Sequence, residues 1–266
     1  MNKPANSFGT RLRWWRERRA LSQLDLALEA DTSQRHLSFL ESGRAAPSRE
    51  MVLRLGATLG LPLRQQNALL LAAGFAPAWR ESQLDAPQLA LVQSALDHML
   101  KHHEPYPALV VDRTWNLLRA NRGAAMLTSF LNGPAEPPPG PVNLADVLLS
   151  PDGWRPLIEN WHEVALYFLR DVQADAFADP SAEAEALLGR LLAYPDVPNL
   201  SRAPLIEEAP LPVLPVQFRK GDISIRLFTT IATLGTPRDV TLQGIRIETL
   251  FPADEPTSAL LRSWGG

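Results

Sequence analysis

From Phe8 to about Ala73, apolar residues recur at helical spacing, with breaks near Leu21–Ser22, Ala30–Thr32, Ser42–Pro47 and Gly60–Pro62. The pattern predicts five short helices over about 7–19, 22–30, 33–41, 48–59 and 63–73. Ser22, Thr32 or Ser33, and Ser48 stand where a side-chain oxygen can accept a bond from an orphan N–H of the turn it starts. Gly43 is a natural helix stop, and Pro47 enforces the loop after it. Leu24, Leu28, Leu37 and Leu40 are the expected small core behind the second and third helices. Residues 78–100 read as a linker helix with Leu84, Leu89, Val92, Leu96 and Leu100 on one face.

The period then changes. Ala108–Asp112 is a short β-rich run, Arg113–Thr114 can turn the chain into a second strand from Trp115 to Arg119, and Asn121 to Phe130 returns to helix. Gly133–Pro141 is a Pro-rich surface loop, and helices are expected over about 143–149, 154–175 and 181–193. Residues 195–215 carry many prolines and predict an irregular crossing segment. Val213–Arg219, Ile223–Ala232 and Thr241–Phe251 are strand signals, with Gly221–Asp222 as a tight turn between the first two. Ile223, Ile225, Leu227 and Ile245, Ile247, Thr249 alternate with period two, so one face of that sheet is apolar. The expected architecture is an all-α five-helix N-terminal domain (1–76), a linker helix (77–104) and an α+β body (105–266) with about five antiparallel strands.

Composition narrows the function classes. The chain of 266 residues has no cysteine, which excludes disulfides, thiolate metal sites and a Cys nucleophile, and fits a cytoplasmic protein. No run of about 18 apolar residues implies a membrane span, and MNKPANSFGT lacks the apolar core of a signal peptide. The net charge of −3 conceals an asymmetry. Residues 1–80 hold 12 Lys/Arg against 6 Asp/Glu, and residues 81–266 hold 14 against 23. A basic head on an acidic body points to a polyanion as partner of the head alone.

The second helix, a short turn and the third helix have the spacing of a helix-turn-helix. Ala27 is small where two such helices must cross closely. SQRHLSFLE exposes Gln34, Arg35, Ser38 and His36, and Gln and Arg can pair bidentately with adenine and guanine in the major groove. Ser22 and Gln23 can donate to phosphate at the start of the second helix, and Arg44 and Arg49 flank the next loop. The stretch LSQLDLALEADTSQRHLSFLESGRAAPS resembles the Xre/Cro-like helix-turn-helix family over about residues 8–73. The resemblance implies that Gln23, Ser33, Gln34, Arg35 and Phe39 or Ser38 lie toward double-stranded DNA, and that Arg16 and Glu41 form a structural salt bridge. Asp31 stands where the family usually has Gly, a position that Asp tolerates in a left-handed backbone.

In the body, PYPALVVDRTWNLLRANRGAAMLTSF looks like the opening hairpin and helix of a PAS-like domain. With GWRPLIENWHEVA and TIATLGTPRDVTLQGIRIETLFPADE it resembles the regulators with an MmyB-like ligand-binding domain, and the resemblance then covers nearly the whole chain. It implies a regulator, not an enzyme, whose body holds a small apolar ligand, with a fatty acid as the family precedent and no other cofactor. Trp154, Trp161, Phe168, Phe218 and Phe228 could enclose an apolar cavity, and Arg155 and His162 could meet a carboxylate head. A buried chain of about twelve CH₂ groups gains on the order of 10 kcal/mol at ~0.8 per CH₂, ample to bias a two-state regulator. A homodimer would place two third helices about one DNA turn (~34 Å) apart on a palindromic site. Two alternatives stand beside this: a body that only dimerises or recruits a protein, and an enzyme carrying a DNA-binding head. His98, His102 and His103 have no carboxylate at zincin spacing, so no metal site is expected, and no nucleophile elbow or phosphate loop occurs. Glu207–Glu208 sit in the Pro-rich segment, where exposure is expected.

Overall fold

Serine caps set the helices of the first eighty residues. In the computed structural model, α1 (Phe8–Arg18), α2 (Gln23–Glu29), α3 (Gln34–Glu41) and α4 (Arg49–Thr58) start after Ser7, Ser22, Ser33 and Ser48. Each serine oxygen accepts the backbone N–H three residues on. At α2 the bond is reciprocal, because Asp25 accepts from the Ser22 N–H at 2.9 Å. The fifth helix, α5 (Leu63–Ala72), starts after Pro62. The structure describes residues 7–133, 140–200 and 213–264; the expected lead at 1–6, the centre of the Pro-rich loop at 134–139 and the 201–212 stretch with Glu207–Glu208 lie outside them.

Contacts divide the chain into two units, Met1–Ser82 with Thr236–Gln243, and Gln83–Gly235 with Gly244–Gly266. In the first, Leu12, Leu26, Leu37, Leu40, Leu55, Leu69 and Leu70 are fully buried. Leu24 and Leu28 are not part of this core: they are 49% and 70% exposed. Residues four apart share one helical face, and α2 turns the face of Leu26, Ala27 and Ala30 inward instead. Gly9 lets α1 meet the end of α3, since a Cβ there would lie 2.5 Å from the carbonyl oxygens of Leu40 and Glu41. The unit is completed from far along the chain. A helical turn, α11 (Val240–Gln243), lies where the pattern had predicted the start of a strand. Asp239 caps it and accepts from the Ser82 hydroxyl at 2.7 Å, while the Gln243 amide oxygen accepts from the Leu63 N–H at 2.7 Å.

The second unit is α+β. Its five strands, β1 (Ala108–Val111), β2 (Leu117–Ala120), β3 (Val216–Lys220), β4 (Ile223–Ala232) and β5 (Arg246–Pro252), form one antiparallel sheet in the order β2-β1-β5-β4-β3. Trp115 is not in a strand: Asp112 accepts from the N–H groups of Thr114 and Asn116, and Trp115 takes a positive φ of 68° in the turn so formed. The expected linker helix is shorter, a 3₁₀ turn at Pro87–Leu89 leading into α6 (Ala90–His102). Asn121 ties three elements together. Its Oδ1 caps α7 (Arg122–Asn132) and accepts from the Ala108 N–H, and its Nδ2 donates to Leu100 and Tyr106.

α8 (Leu144–Leu149), α9 (Trp161–Ala178) and α10 (Ala182–Leu192) follow. α9 begins later than predicted because Arg155–Leu157, with Pro156 in it, forms a separate 3₁₀ turn. A last helix, α12 (Glu255–Trp264), went unpredicted; Asp254 caps it through the Thr257 N–H at 2.9 Å. The core joins Phe218, Ile225 and Leu227 of the sheet to Leu127, Leu149, Trp161, Leu169, Leu191 and Leu261 of these helices.

Candidate functional site

The amphipathicity of α3 decides what the first unit can present. Leu37, Leu40 and Glu41 are buried, whereas Ser33, Gln34 and Arg35 are exposed and His36, Ser38 and Phe39 half-buried. The outward residues therefore line one continuous side of a short helix. Two guanidiniums lie over the Phe39 ring, Arg35 at 5.4 Å and Arg44 at 5.6 Å from its centroid. Such contacts are worth about 0.5–1 kcal/mol at exposed sites, enough to bias the two cations toward the end of α3. The turn after α3 keeps Arg44 in place: Gly43 has φ +71°, and the Arg44 N–H donates to the Phe39 carbonyl at 2.9 Å. Asp31 holds the left-handed position before α3, with φ +50°.

Glu41 fixes the angle between the helices. Arg16 Nε and Nη2 donate to its carboxylate at 2.6 and 3.0 Å, Gln23 Nε2 at 2.8 Å and Arg13 Nε at 3.4 Å. Burial pushes this carboxyl up, but the bonds from Arg16 and Gln23, the Arg16 charge and the Arg13 bond together hold it below its ordinary 4.5. Arg16 also donates to the Leu21 carbonyl at 2.8 Å, so α1, the α1–α2 turn and α3 share one guanidinium.

The other expected contact residues divide. Ser22 is exposed at the start of α2, its oxygen accepting the cap bond and its hydroxyl hydrogen-bonded to the Asp25 carboxylate. Gln23 lies beside it with one amide proton committed to Glu41. Arg49 is turned to the Ala76 carbonyl at 2.6 Å, so it serves this unit's own closure. Two features escaped the sequence reading: the Arg35–Phe39–Arg44 stack, and the joining of Arg13 and Gln23 to Glu41. An aromatic four residues after an arginine on a helix was the available signal for the first.

In the second unit, the aromatic residues expected around a ligand do not converge on one cavity. Phe218 is in the core with Trp154 edge-on at 5.8 Å, and Phe168 packs edge-on against Trp115 at 4.6 Å. Phe228 lies on the opposite face of β4 and stacks on Phe251. Arg155 and Trp161 do meet, the guanidinium 4.0 Å from the ring, beside a cleft of about 360 Å³. Arg155 is engaged there by the Pro195 carbonyl at 2.6 Å and Asp196 at 2.9 Å. His162 is exposed beside Trp161.

β5 carries a further titratable group, Glu248, whose carboxyl burial pushes up to about 7 against the pull of Arg246. On α9, burial and then the Asp175 charge raise Asp171, again opposed by Arg246, which pairs with Asp175. His98 and His102 stack, and His103 turns to the Leu250 carbonyl. Among the described residues, no group of three or more His, Asp or Glu side chains could hold a metal ion, and no helix is long and apolar enough to cross a membrane.

Two family models match the chain. Residues 92–263 match the family described as "MmyB-like transcription regulator ligand binding domain", and residues 12–66 match the family described as "Helix-turn-helix". No curated protein matches the chain. A solved structure titled "Structure of an RNA-binding Light-Oxygen-Voltage Receptor" is similar at 11% identity, covering 98% of this chain and 62% of its own, with a TM-score of 0.26.

Proposed function

This chain belongs to the family of MmyB-like transcription regulators, with a helix-turn-helix unit ahead of the ligand-binding domain, and from that premise we propose a dimeric, sequence-specific regulator controlled by a small apolar, fatty-acid-like ligand. The observation that carries the DNA-reading part is the two-sided character of α3. Its inner face is locked by Leu37, Leu40 and Glu41, while Gln34 and Arg35 are exposed on the outer side, where they can enter a major groove. In this reading Gln34, Arg35 and Ser38 meet base edges. Ser22, Gln23, Ser33, His36 and Arg44 meet phosphates, and Phe39 holds Arg35 and Arg44 in line. Arg49 contributes through the loop it closes. Two copies would set two α3 helices one DNA turn apart on a palindromic operator. The ligand would act by favouring one arrangement of the dimer over another.

Selection of duplexes from a random pool by the full chain tests this directly. The wild type is expected to enrich a palindrome, and Arg35→Ala to lose preference at one or two base pairs by about 1–3 kcal/mol each. An Arg35→Ala variant with unchanged affinity and preference would overturn the assignment. Mass spectrometry of ligand retained by the natively purified chain tests the second part; an absence of any apolar small molecule, with none bound on addition, would leave the body as a dimerisation module.

A further inference from the structure

A second cavity in the C-terminal unit has the chemistry that the Arg155 cleft lacks. Its volume is about 460 Å³, within the usual range for small-molecule sites, and Glu104, Arg122, Gly123, Met126, Arg262 and Trp264 line it. One wall is stiff backbone. A Cβ on Gly123 would lie 2.4 Å from the Pro105 carbonyl oxygen, so α7 is packed directly on the preceding segment. Trp264 is braced by Phe130, ring centroids 5.4 Å apart.

The cations differ from Arg155 in their commitments. Among the described residues the Arg122 guanidinium has no ion pair or hydrogen bond, and Arg262 has a 3.4 Å contact with the exposed Glu255 and a hydrogen bond to the Tyr106 side chain, with no close carboxylate partner. An exposed pair of that length holds little against a competing anion. Glu104, the one acid among the described lining residues, has both oxygens occupied by the N–H groups of Arg122 and Gly123 at 2.7 and 3.1 Å. The described lining residues therefore carry two positive charges and one negative, a surplus that matches a monoanion. Met126 and Trp264 supply apolar surface beside it.

We propose that this cavity takes the charged head of the regulator's ligand: a carboxylate on an apolar body, held by Arg122 and Arg262 with Met126 and Trp264 against the apolar part. The inference rests on the reading of the C-terminal domain as the holder of an apolar ligand and moves the head-group contact away from Arg155 and His162.

Decanoate and decanol, titrated calorimetrically into the full chain, test it. Decanoate is expected to bind more tightly than decanol. The double variant Arg122→Gln/Arg262→Gln is expected to weaken decanoate roughly tenfold or more while leaving decanol unchanged, because charge-assisted bonds to the carboxylate are the strong ones. Arg122→Lys/Arg262→Lys is expected to recover most of the affinity, and Arg155→Gln to leave it intact. The single variant Arg122→Gln, at an exposed side chain without a partner among the described residues, gives the same readout should the double variant misfold. Both probes binding with no sensitivity to Arg122 or Arg262, or sensitivity to Arg155 instead, overturns the site while the apolar-ligand reading stands. Neither probe binding overturns that reading, and the site with it.

Discussion

Replacing Glu41 by glutamine removes one charge and keeps the shape, so its effect isolates the ion pair that joins α1 to α3. The Glu41 side chain is wholly shielded from solvent and accepts from Arg16 twice, from Gln23 and from Arg13. Breaking a buried pair by removing one partner typically costs about 3–5 kcal/mol, because the other charge is left uncompensated. Arg16 would keep the Leu21 carbonyl and a 3.6 Å contact with Glu17, which places the expected cost near the lower end, about 3 kcal/mol. For a unit of this size each kcal/mol corresponds to ~4–8 °C, so the helical unit should melt roughly 12–24 °C lower. Hydrogen exchange over residues 8–73, followed with temperature by mass spectrometry, reads this unit separately from the body. The difference has a defined pH dependence. Glu41 titrates below its ordinary 4.5 in the folded chain, so its contribution is complete above 4.5 and is lost as pH falls through the depressed folded value. Wild type and Glu41→Gln should therefore converge in acid. A melting difference of a degree or two, or one that persists unchanged to pH 3, would refute the role given to the pair.

Three further outcomes follow from burial and charge. Leu26→Ala should destabilise the helical unit by about 2–5 kcal/mol, whereas Leu28→Ala should stay within about 0.5 kcal/mol, as measured by the same exchange; comparable losses at both would mean that α2 is rotated. Glu248→Gln should raise the stability of the body at pH 8 and leave it unchanged near pH 4. Between 4.5 and about 7 the unfolded carboxyl has released its proton and the folded one has not, so wild-type stability falls with pH by up to about 3 kcal/mol at ~1.4 per unit; a pH-independent difference would contradict this. Arg44→Ala should weaken binding to every duplex alike and reduce the salt dependence by about one phosphate contact, measured by anisotropy across salt concentrations, while a loss confined to the selected sequence would make Arg44 a base reader.

The helical head was legible because its signals are local. Ser22, Ser33 and Ser48 cap within three residues, Gly43 ends α3, and the left-handed Asp31 stands where the pattern required a tight turn. Phase within a seven-residue helix is weaker information. Leu24, Leu26, Ala27 and Leu28 crowd α2, and only the neighbouring helices decide that Leu26 and Ala27 face inward. The body lost definition where contacts are distant in sequence. Val240 and Leu242 alternate like the strand that follows, yet Asp239 and Gln243 bind Ser82 and Leu63, more than 150 residues away. α12 was hidden by the strand before it and by Pro256, although Asp254 supplies a cap. The aromatic residues were visible as a composition, but composition assigns no face, and the alternation along β4 sends Phe228 away from Phe218. Arg122 and Arg262 are 140 positions apart, and no periodicity could have joined them in one lining.

In the proposed regulator the outer side of α3 meets DNA. Amide chemical shifts of the isotope-labelled full chain, recorded before and after addition of the selected duplex, test it residue by residue. The largest changes should fall on Ser33–Phe39, on Ser22–Gln23 and on Arg44, with Leu37 and Leu40 affected only through their neighbours. Changes concentrated on the sheet or on α6, with Gln34 and Arg35 unmoved, would contradict it.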